Sequence, residues 1–308
     1  MSRHLFEEVK NLATEQRNPE SIAMDEMETR AILTLINDED TKVAEAVRKE
    51  IPHITTVVDE LVARFKAGGK LFYVGAGTSG RMGIVDAAEC PPTFGTPHDL
   101  VQAIIAGGDK AVFRAQEGAE DLTERGAHAI GERGVTIGDM VIGIAASKRT
   151  PFVLGALEHA KKLGAYTVLL TTNPRESLHF DFLNETICPV VGPEVLMGST
   201  RMKSALAQKM VLTMITTTAM VRMGKVYENM MVDLQLTNKK LEERAKRIVM
   251  IATGCDYDQA AEVLSKAHGH VKSAIIMQIG GCSLEKASAE LEKAGGFVKQ
   301  AIQRIKAK

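Results

Sequence analysis

The chain has 308 residues, 45% of them hydrophobic and 25% charged, which is the make-up of a soluble globular protein with room for one large domain and a smaller one. A net charge of −1 provides no bulk field to favour nucleic acid or an anionic membrane, so neither is expected as a partner. No window has the long uncharged apolar run of a membrane helix and the first residues lack a signal-peptide core, so a cytoplasmic protein is expected.

Residues 1–20 read as polar and irregular. From 24 to 35 apolar residues recur at helical spacing; the polar run 37–40 then interrupts, and Asp40 suits the N-cap of a second helix over 41–65. Ala67, Gly68 and Gly69 end that helix before an apolar, strand-forming run that opens at Lys70. A glycine-rich turn follows, GAGTSGR over 75–81, and opens into a helix over 82–89. Strands are expected at 101–106, 139–146, 165–172 and 186–191. Helices are expected at 109–117, 120–132, 152–163 and, long and apolar, at 199–223. Pro151 takes a favoured helix-start position. The alternation predicts an α/β fold, a doubly wound parallel sheet wrapped by helices on both faces. After 238 there is no strand candidate. Short helical patterns at 256–267, 270–279 and 283–294, with a last one from Phe297, are separated by Gly280-Gly281 and Gly295-Gly296 and predict a small helical appendage. The expected domains are an N-terminal helical segment at 1–66, a core at 67–238 and a C-terminal helical region at 239–308.

The turn at 75–81 is the most informative stretch. Glycines let the backbone come close to a ligand, and unpaired N–H groups at a helix start point at negative charge. Gly77, Thr78, Ser79, Gly80 and Arg81 are the candidate anion-binding residues, the hydroxyls and guanidinium supplying donors suited to a terminal phosphate. The pattern is also G-x-G-x-x-G, the dinucleotide fingerprint. That fingerprint needs an acid closing the second strand to hold a ribose. Asp109, the acid available, is set off by Gly107-Gly108, a poor match. A phosphosugar is favoured over a dinucleotide; the third reading is a tight turn with no ligand.

Ligands of an open parallel sheet sit outside the carboxyl ends of its strands. A second such end carries Gly107-Gly108-Asp109 and runs on into 116–121; a third carries Ser147, Lys148, Arg149 and Thr150. The third reads equally as an anion turn and as a capped helix start, with Thr150 the N-cap before Pro151. Glu89 and Glu120 are the carboxylates of interest, since two carboxyl groups in different environments can divide general-acid and general-base work. Taken singly, each is as readily a solvated helix end. Cys90, Cys188, Cys255 and Cys282 are scattered without metal or disulfide spacing, Cys90 reading as a small packed thiol, and His268 and His270 lie at a helix boundary, so no metal is expected.

At these residues the chain resembles a known family. GAGTSGR (75–81), DAAECPP (86–92), EGAED (117–121) and GPEVLMGSTRMK (192–203), with TEQRN (14–18) and ENMMVD (228–233), are similar to N-acetylmuramic acid 6-phosphate etherases, members of the sugar isomerase (SIS) group related to the glucokinase regulatory protein. The resemblance runs collinearly over nearly the whole chain. It implies a phosphosugar pocket in the 67–238 core, no cofactor, and cleavage of the D-lactyl ether of N-acetylmuramic acid 6-phosphate to N-acetylglucosamine 6-phosphate and D-lactate. It implies Glu89 as the acid on the departing oxygen and Glu120 as the second catalytic carboxylate. It places Thr78, Ser79, Ser147 and Thr150 at phosphate-gripping hydroxyl positions, with Arg149, Ser199, Arg201 and Lys203 as further binding candidates. Three positions depart from the family pattern: Lys148 stands where glycine usually follows the serine, Met197 replaces a hydroxyl residue, and Leu206 replaces a small one.

A carbon–oxygen lyase is therefore expected. The alternative is a non-catalytic phosphosugar-sensing regulator on the same fold; retention of both Glu89 and Glu120 favours the enzyme. A homodimer is expected on two grounds. The apolar helix at 199–223 is too long to be covered on all sides by the rest of the chain. The ten residues from Ser79 to Glu89 span about 15 Å of straight helix, long for one phosphosugar, so either the helix bends or ends before Pro91, or Glu89 completes the pocket of the neighbouring subunit.

Overall fold

Five parallel strands form the centre of the chain: β1 (Leu71–Gly75), β2 (Val101–Ile105), β3 (Met140–Ile144), β4 (Tyr166–Leu170) and β5 (Glu185–Ile187), in the order β2-β1-β3-β4-β5. The computed structural model describes residues 10, 12–236 and 238–307. Every residue of β1 and β3 is buried, as expected for strands covered on both faces and written as continuous apolar runs. β1 pairs with β2 on one side and β3 on the other, with Gly75 opposite Ile144. The chain leaves β1 in one direction and returns on its other side, so the switch point of the sheet lies between β1 and β3.

Among the described residues two α-helices precede the sheet, α1 (Thr29–Lys49) and α2 (Ile51–Lys66). The expected break at 37–40 is absent; α1 runs through it, and the chain breaks at Glu50 instead. Pro52 in the first turn of α2 has no N–H to continue the earlier ladder. The run 37–40 looked like a loop because it is polar, but Glu39 is buried and bound to Lys203. The further α-helices among the described residues up to Arg222 are α3 (Gly77–Phe94), the four-residue α4 (Lys110–Phe113), α5 (Thr123–Glu132), α6 (Pro151–Lys162) and α7 (Lys203–Arg222).

α3 starts five residues before the expected 82 and does not end before Pro91. Each of Pro91 and Pro92 removes one helical hydrogen bond, yet proline's fixed φ of about −65° is helical. Gly95, at φ +61°, closes the last turn by donating to the Pro91 carbonyl at 2.9 Å. The helix expected over 109–117 shrinks to α4, and α7 begins at Lys203 rather than 199. The apolar character of α7 is largely spent within the chain: Val211, Leu212, Ile215 and Ala219 are fully buried, while Leu206 and Val221 are exposed.

The described residues fall into two compact units, one through Ala87 with Asp99–Thr216, the other Ala88–His98 with the residues from Thr217 on. In the first, Phe72, Val74, Val141, Val153, Leu157 and Leu169 form the core between sheet and helices. Each such burial contributes about 1.5–3 kcal/mol. The second contains a two-residue ladder, β6 (Val226–Tyr227) with β7 (Met230–Met231), that the sequence did not announce. Its helices are α8 (Lys239–Thr253), α9 (Tyr257–Lys266), α10 (Val271–Gly280), α11 (Leu284–Lys293) and α12 (Val298–Lys306). Gly254 and Gly281 end α8 and α10 in left-handed conformation, and Asp256 and Gln259 form a capping box on α9. Ala245, Val249, Ala260, Ile275 and Ala287 fill this unit's core. Cys90 is buried, as read from sequence. His270 pairs with the Ser273 hydroxyl at 2.7 Å.

Candidate active site

The three glycines of the 75–81 turn each do a separate job. A β-carbon at Gly75 would lie 2.6 Å from the Gly80 nitrogen, so strand end and helix start meet backbone to backbone. Gly77 has φ +51°, which turns the chain into α3. A β-carbon at Gly80 would lie 2.6 Å from Cγ1 of Ile105, so α3 sits directly on the sheet. Thr78 and Ser79 are half-buried at the first turn of this 18-residue helix, where N–H groups have no intrahelical partner. Arg81 faces elsewhere: its guanidinium donates to the carbonyls of Ala111 (2.8 Å) and Val112 (2.9 Å), tying down the connection after β2.

The turn Ser147–Thr150 leaves β3, the neighbour of β1, about 4.8 Å away. Two hydroxyl-rich turns therefore flank the switch point side by side. Thr150 holds the N-cap position of α6, but its side chain makes no capping hydrogen bond, so the hydroxyl is not spent on the helix. Of the two readings of this turn, the side-chain cap is not realised. Ser147, Arg149 and Thr150 are half-buried. Lys148 lies at φ +51°.

A third strand end joins them, which the sequence reading missed. The Ala146 carbonyl, immediately before Ser147, accepts from the Thr171 hydroxyl (3.0 Å), the Thr172 hydroxyl (3.2 Å) and Nδ2 of Asn173 (2.7 Å). Oδ1 of Asn173 accepts the Ala13 N–H (3.3 Å), and Nδ2 of Asn18 donates to the Pro193 carbonyl (3.3 Å), so the 14–18 and 192–203 motifs meet at this end of the sheet. The available signal was a Thr-Thr-Asn run directly after an apolar strand.

In the 192–203 motif, Glu194 is fully buried and accepts the N–H groups of Lys203 and Ser204, both at 2.9 Å, which caps α7. Lys203 is buried and its ammonium contacts Glu39 at 2.5 Å. Burial alone would raise the Glu39 pKa, but the hydrogen bonds and charges of Lys203 and Lys42 outweigh it and hold the carboxyl below its ordinary value. Ser199 is half-buried and Arg201 exposed.

Glu120 lies on a single 3-10 turn, Ala119–Asp121, entered through Gly118 at φ +72°. Its side chain reaches the surface, yet desolvation by its surroundings, then the negative charges of Asp121 and Glu117, push its pKa above the ordinary carboxylate value. A raised pKa makes the carboxylate a stronger base, the direction that suits proton abstraction. Glu89 is exposed on α3, in the second unit. Asp86, one turn earlier, accepts from the Tyr73 hydroxyl (2.9 Å) and the Thr216 hydroxyl (3.1 Å), fastening α3 to β1 and α7, and burial raises its pKa. Among the described residues no group of His, Cys, Asp and Glu could hold a metal ion, and no helix is long and apolar enough to cross a membrane.

The model of the glucokinase regulatory protein N-terminal SIS domain matches residues 53–161. A phosphoheptose isomerase from Neisseria gonorrhoeae aligns over 61% of this chain and 98% of its own at 16% identity and a TM-score of 0.45. An N-acetylmuramic acid 6-phosphate etherase from Symbiobacterium thermophilum is 56% identical over 269 residues, 87% of this chain and 89% of that one. One from Salinibacter ruber is 61% identical over 276 residues, 89% of this chain and 88% of that one. The chain belongs to the N-acetylmuramic acid 6-phosphate etherase family.

Proposed function

We propose that this protein is a carbon–oxygen lyase that cleaves the D-lactyl ether of N-acetylmuramic acid 6-phosphate, giving N-acetylglucosamine 6-phosphate and D-lactate. The observation that carries the reading is the pair of hydroxyl-rich turns on adjacent strands at the switch point, in a chain whose relatives bear the etherase name. Thr78, Ser79, Ser147 and Thr150, with the N–H groups of α3 and α6, grip the phosphate from two sides. Arg81 and Lys203, engaged by carbonyls and by Glu39, act one step back, holding the connections that shape the site. Retention of both Glu89 and Glu120, in a chain whose relatives bear the etherase name, favours catalysis over the regulatory alternative.

The elimination and the hydration ask only proton transfers of the protein. With the sugar ring open, the C1 aldehyde acidifies the C2 proton. Glu120, its pKa raised, removes that proton; Glu89 protonates the ether oxygen as the C3–O bond breaks, and lactate leaves. Water then adds to the alkene, oxygen at C3 and hydrogen at C2. The active unit is proposed to be a homodimer working without cofactor, and sedimentation of the active enzyme as a monomer would remove that part.

The test is turnover in deuterium oxide, reading D-lactate and deuterium at C2. Glu120→Gln should lose both signals. Glu89→Gln should lose lactate release while still binding substrate. Parent-like lactate release by both variants would overturn the assignment.

A further inference from the structure

Three non-glycine residues have positive φ among the described residues, and Lys148, at +51°, is the one that lies in a hydroxyl-rich turn. A side chain with a β-carbon is disfavoured there, and such outliers persist only where surrounding structure holds them. Two contacts do so. The Lys148 N–H donates to the Ala145 carbonyl at 3.2 Å, and its Nζ reaches the Ser177 carbonyl at 2.8 Å. The anchor is itself fixed. Ser177 closes a 3-10 turn, Arg175–Ser177, and folds its hydroxyl onto the Pro174 carbonyl at 2.6 Å. The Arg175 guanidinium donates to the Thr186 carbonyl (2.8 Å) and binds Glu50 (2.7 Å). The ammonium therefore joins the turn after β3 to the β4–β5 connection.

We propose that Lys148 is a positioning residue for the second phosphate turn: its tether to the Ser177 carbonyl holds residue 148 left-handed, and that conformation aims the Arg149 N–H and the Thr150 hydroxyl at the phosphate. Left-handed residues in turns curl successive N–H groups toward one side, where an anion sits. A return of φ to negative values would rotate everything between Ser147 and α6. The proposal rests on the phosphate reading of this turn, and Ser147→Ala tests that reading separately.

Three substitutions divide the tether from the backbone requirement. Lys148→Met keeps the β-carbon and loses the tether. Lys148→Gly loses the tether but tolerates positive φ. Lys148→Arg keeps a cationic donor. Initial rates of D-lactate release from N-acetylmuramic acid 6-phosphate give kcat and KM separately, and competition by inorganic phosphate gives a direct affinity.

KM should rise about tenfold for Lys148→Met, about two- to threefold for Lys148→Gly, and stay near the parent for Lys148→Arg, with kcat little changed and phosphate affinity falling in parallel. A parent-like KM in Lys148→Met, or equal losses in the Met and Gly variants, would overturn the proposal, the second outcome reducing Lys148 to a plain charge. If Lys148→Met does not fold, Lys148→Gln makes the same comparison. If Ser147→Ala raises KM while the Lys148 variants do not, the positioning role alone fails. If Ser147→Ala leaves KM unchanged, the phosphate reading of the turn fails with it.

Discussion

Replacing Gly75 by alanine tests whether the backbone contact between β1 and α3 sets the phosphate cradle. The added carbon would lie 2.6 Å from the Gly80 nitrogen, 2.7 Å from Gly80 Cα and 2.9 Å from the Ser79 carbonyl carbon. All three atoms are backbone, so no rotamer relieves the clash. Carbon atoms settle at about 3.5 Å, so the start of α3 must retreat by about 0.8 Å, the difference between 3.5 and 2.7 Å. Overpacking of this kind costs about 1–3 kcal/mol of stability. The same retreat carries Thr78 and Ser79 away from the phosphate. A hydrogen bond of about 2.9 Å, stretched by that amount, passes the limit of about 3.2 Å. Two charge-assisted bonds at about 1.5 kcal/mol each make about 3 kcal/mol, a rise in KM of about a hundredfold. The assay pairs urea unfolding with the rate of D-lactate release. Gly131→Ala is the control: it lies in α5, its added carbon meets only His159 Nε2 at 3.7 Å, and it should be neutral or stabilising by about 0.5–1 kcal/mol. A Gly75→Ala protein with parent stability and parent KM would refute the reasoning.

Glu39→Gln leaves the Lys203 ammonium buried without its carboxylate and should lower stability by about 3–5 kcal/mol, with Lys203→Met in addition restoring most of it. A loss below about 1 kcal/mol in urea unfolding would count against that ion pair. Asp86 titrates the other way. Its folded pKa lies above the value of about 3.9 in an unfolded chain, so the folded state holds the extra proton, and stability falls as pH rises from there through the raised pKa. Asp86→Asn should flatten the stability profile over that window; an unchanged slope would show that Asp86 does not set it.

The sheet was legible because its strands are short apolar runs bounded by glycine turns, and the anion turn at 75–81 because glycine, hydroxyl and helix-start signals coincide there. The break between α1 and α2 was misread because burial of Glu39 depends on Lys203, 164 residues away. The end of α3 was misread because Pro91 and Pro92 signal a stop, whereas the helix absorbs both in its last turn. The Ala146 carbonyl network was invisible because Thr171, Thr172 and Asn173 reach it across adjacent strands rather than along the chain. The sequence showed that Arg81 and Lys203 are cations within the motifs, but not that each is occupied by partners from other elements.

The central claim, that the two turns hold the phosphate of the sugar that is cleaved, is tested most directly by comparing kcat/KM for N-acetylmuramic acid 6-phosphate and for unphosphorylated N-acetylmuramic acid. Loss of the dianion removes several charge-assisted hydrogen bonds, so the unphosphorylated sugar should be poorer by at least about a thousandfold. Comparable values for the two sugars would contradict the account.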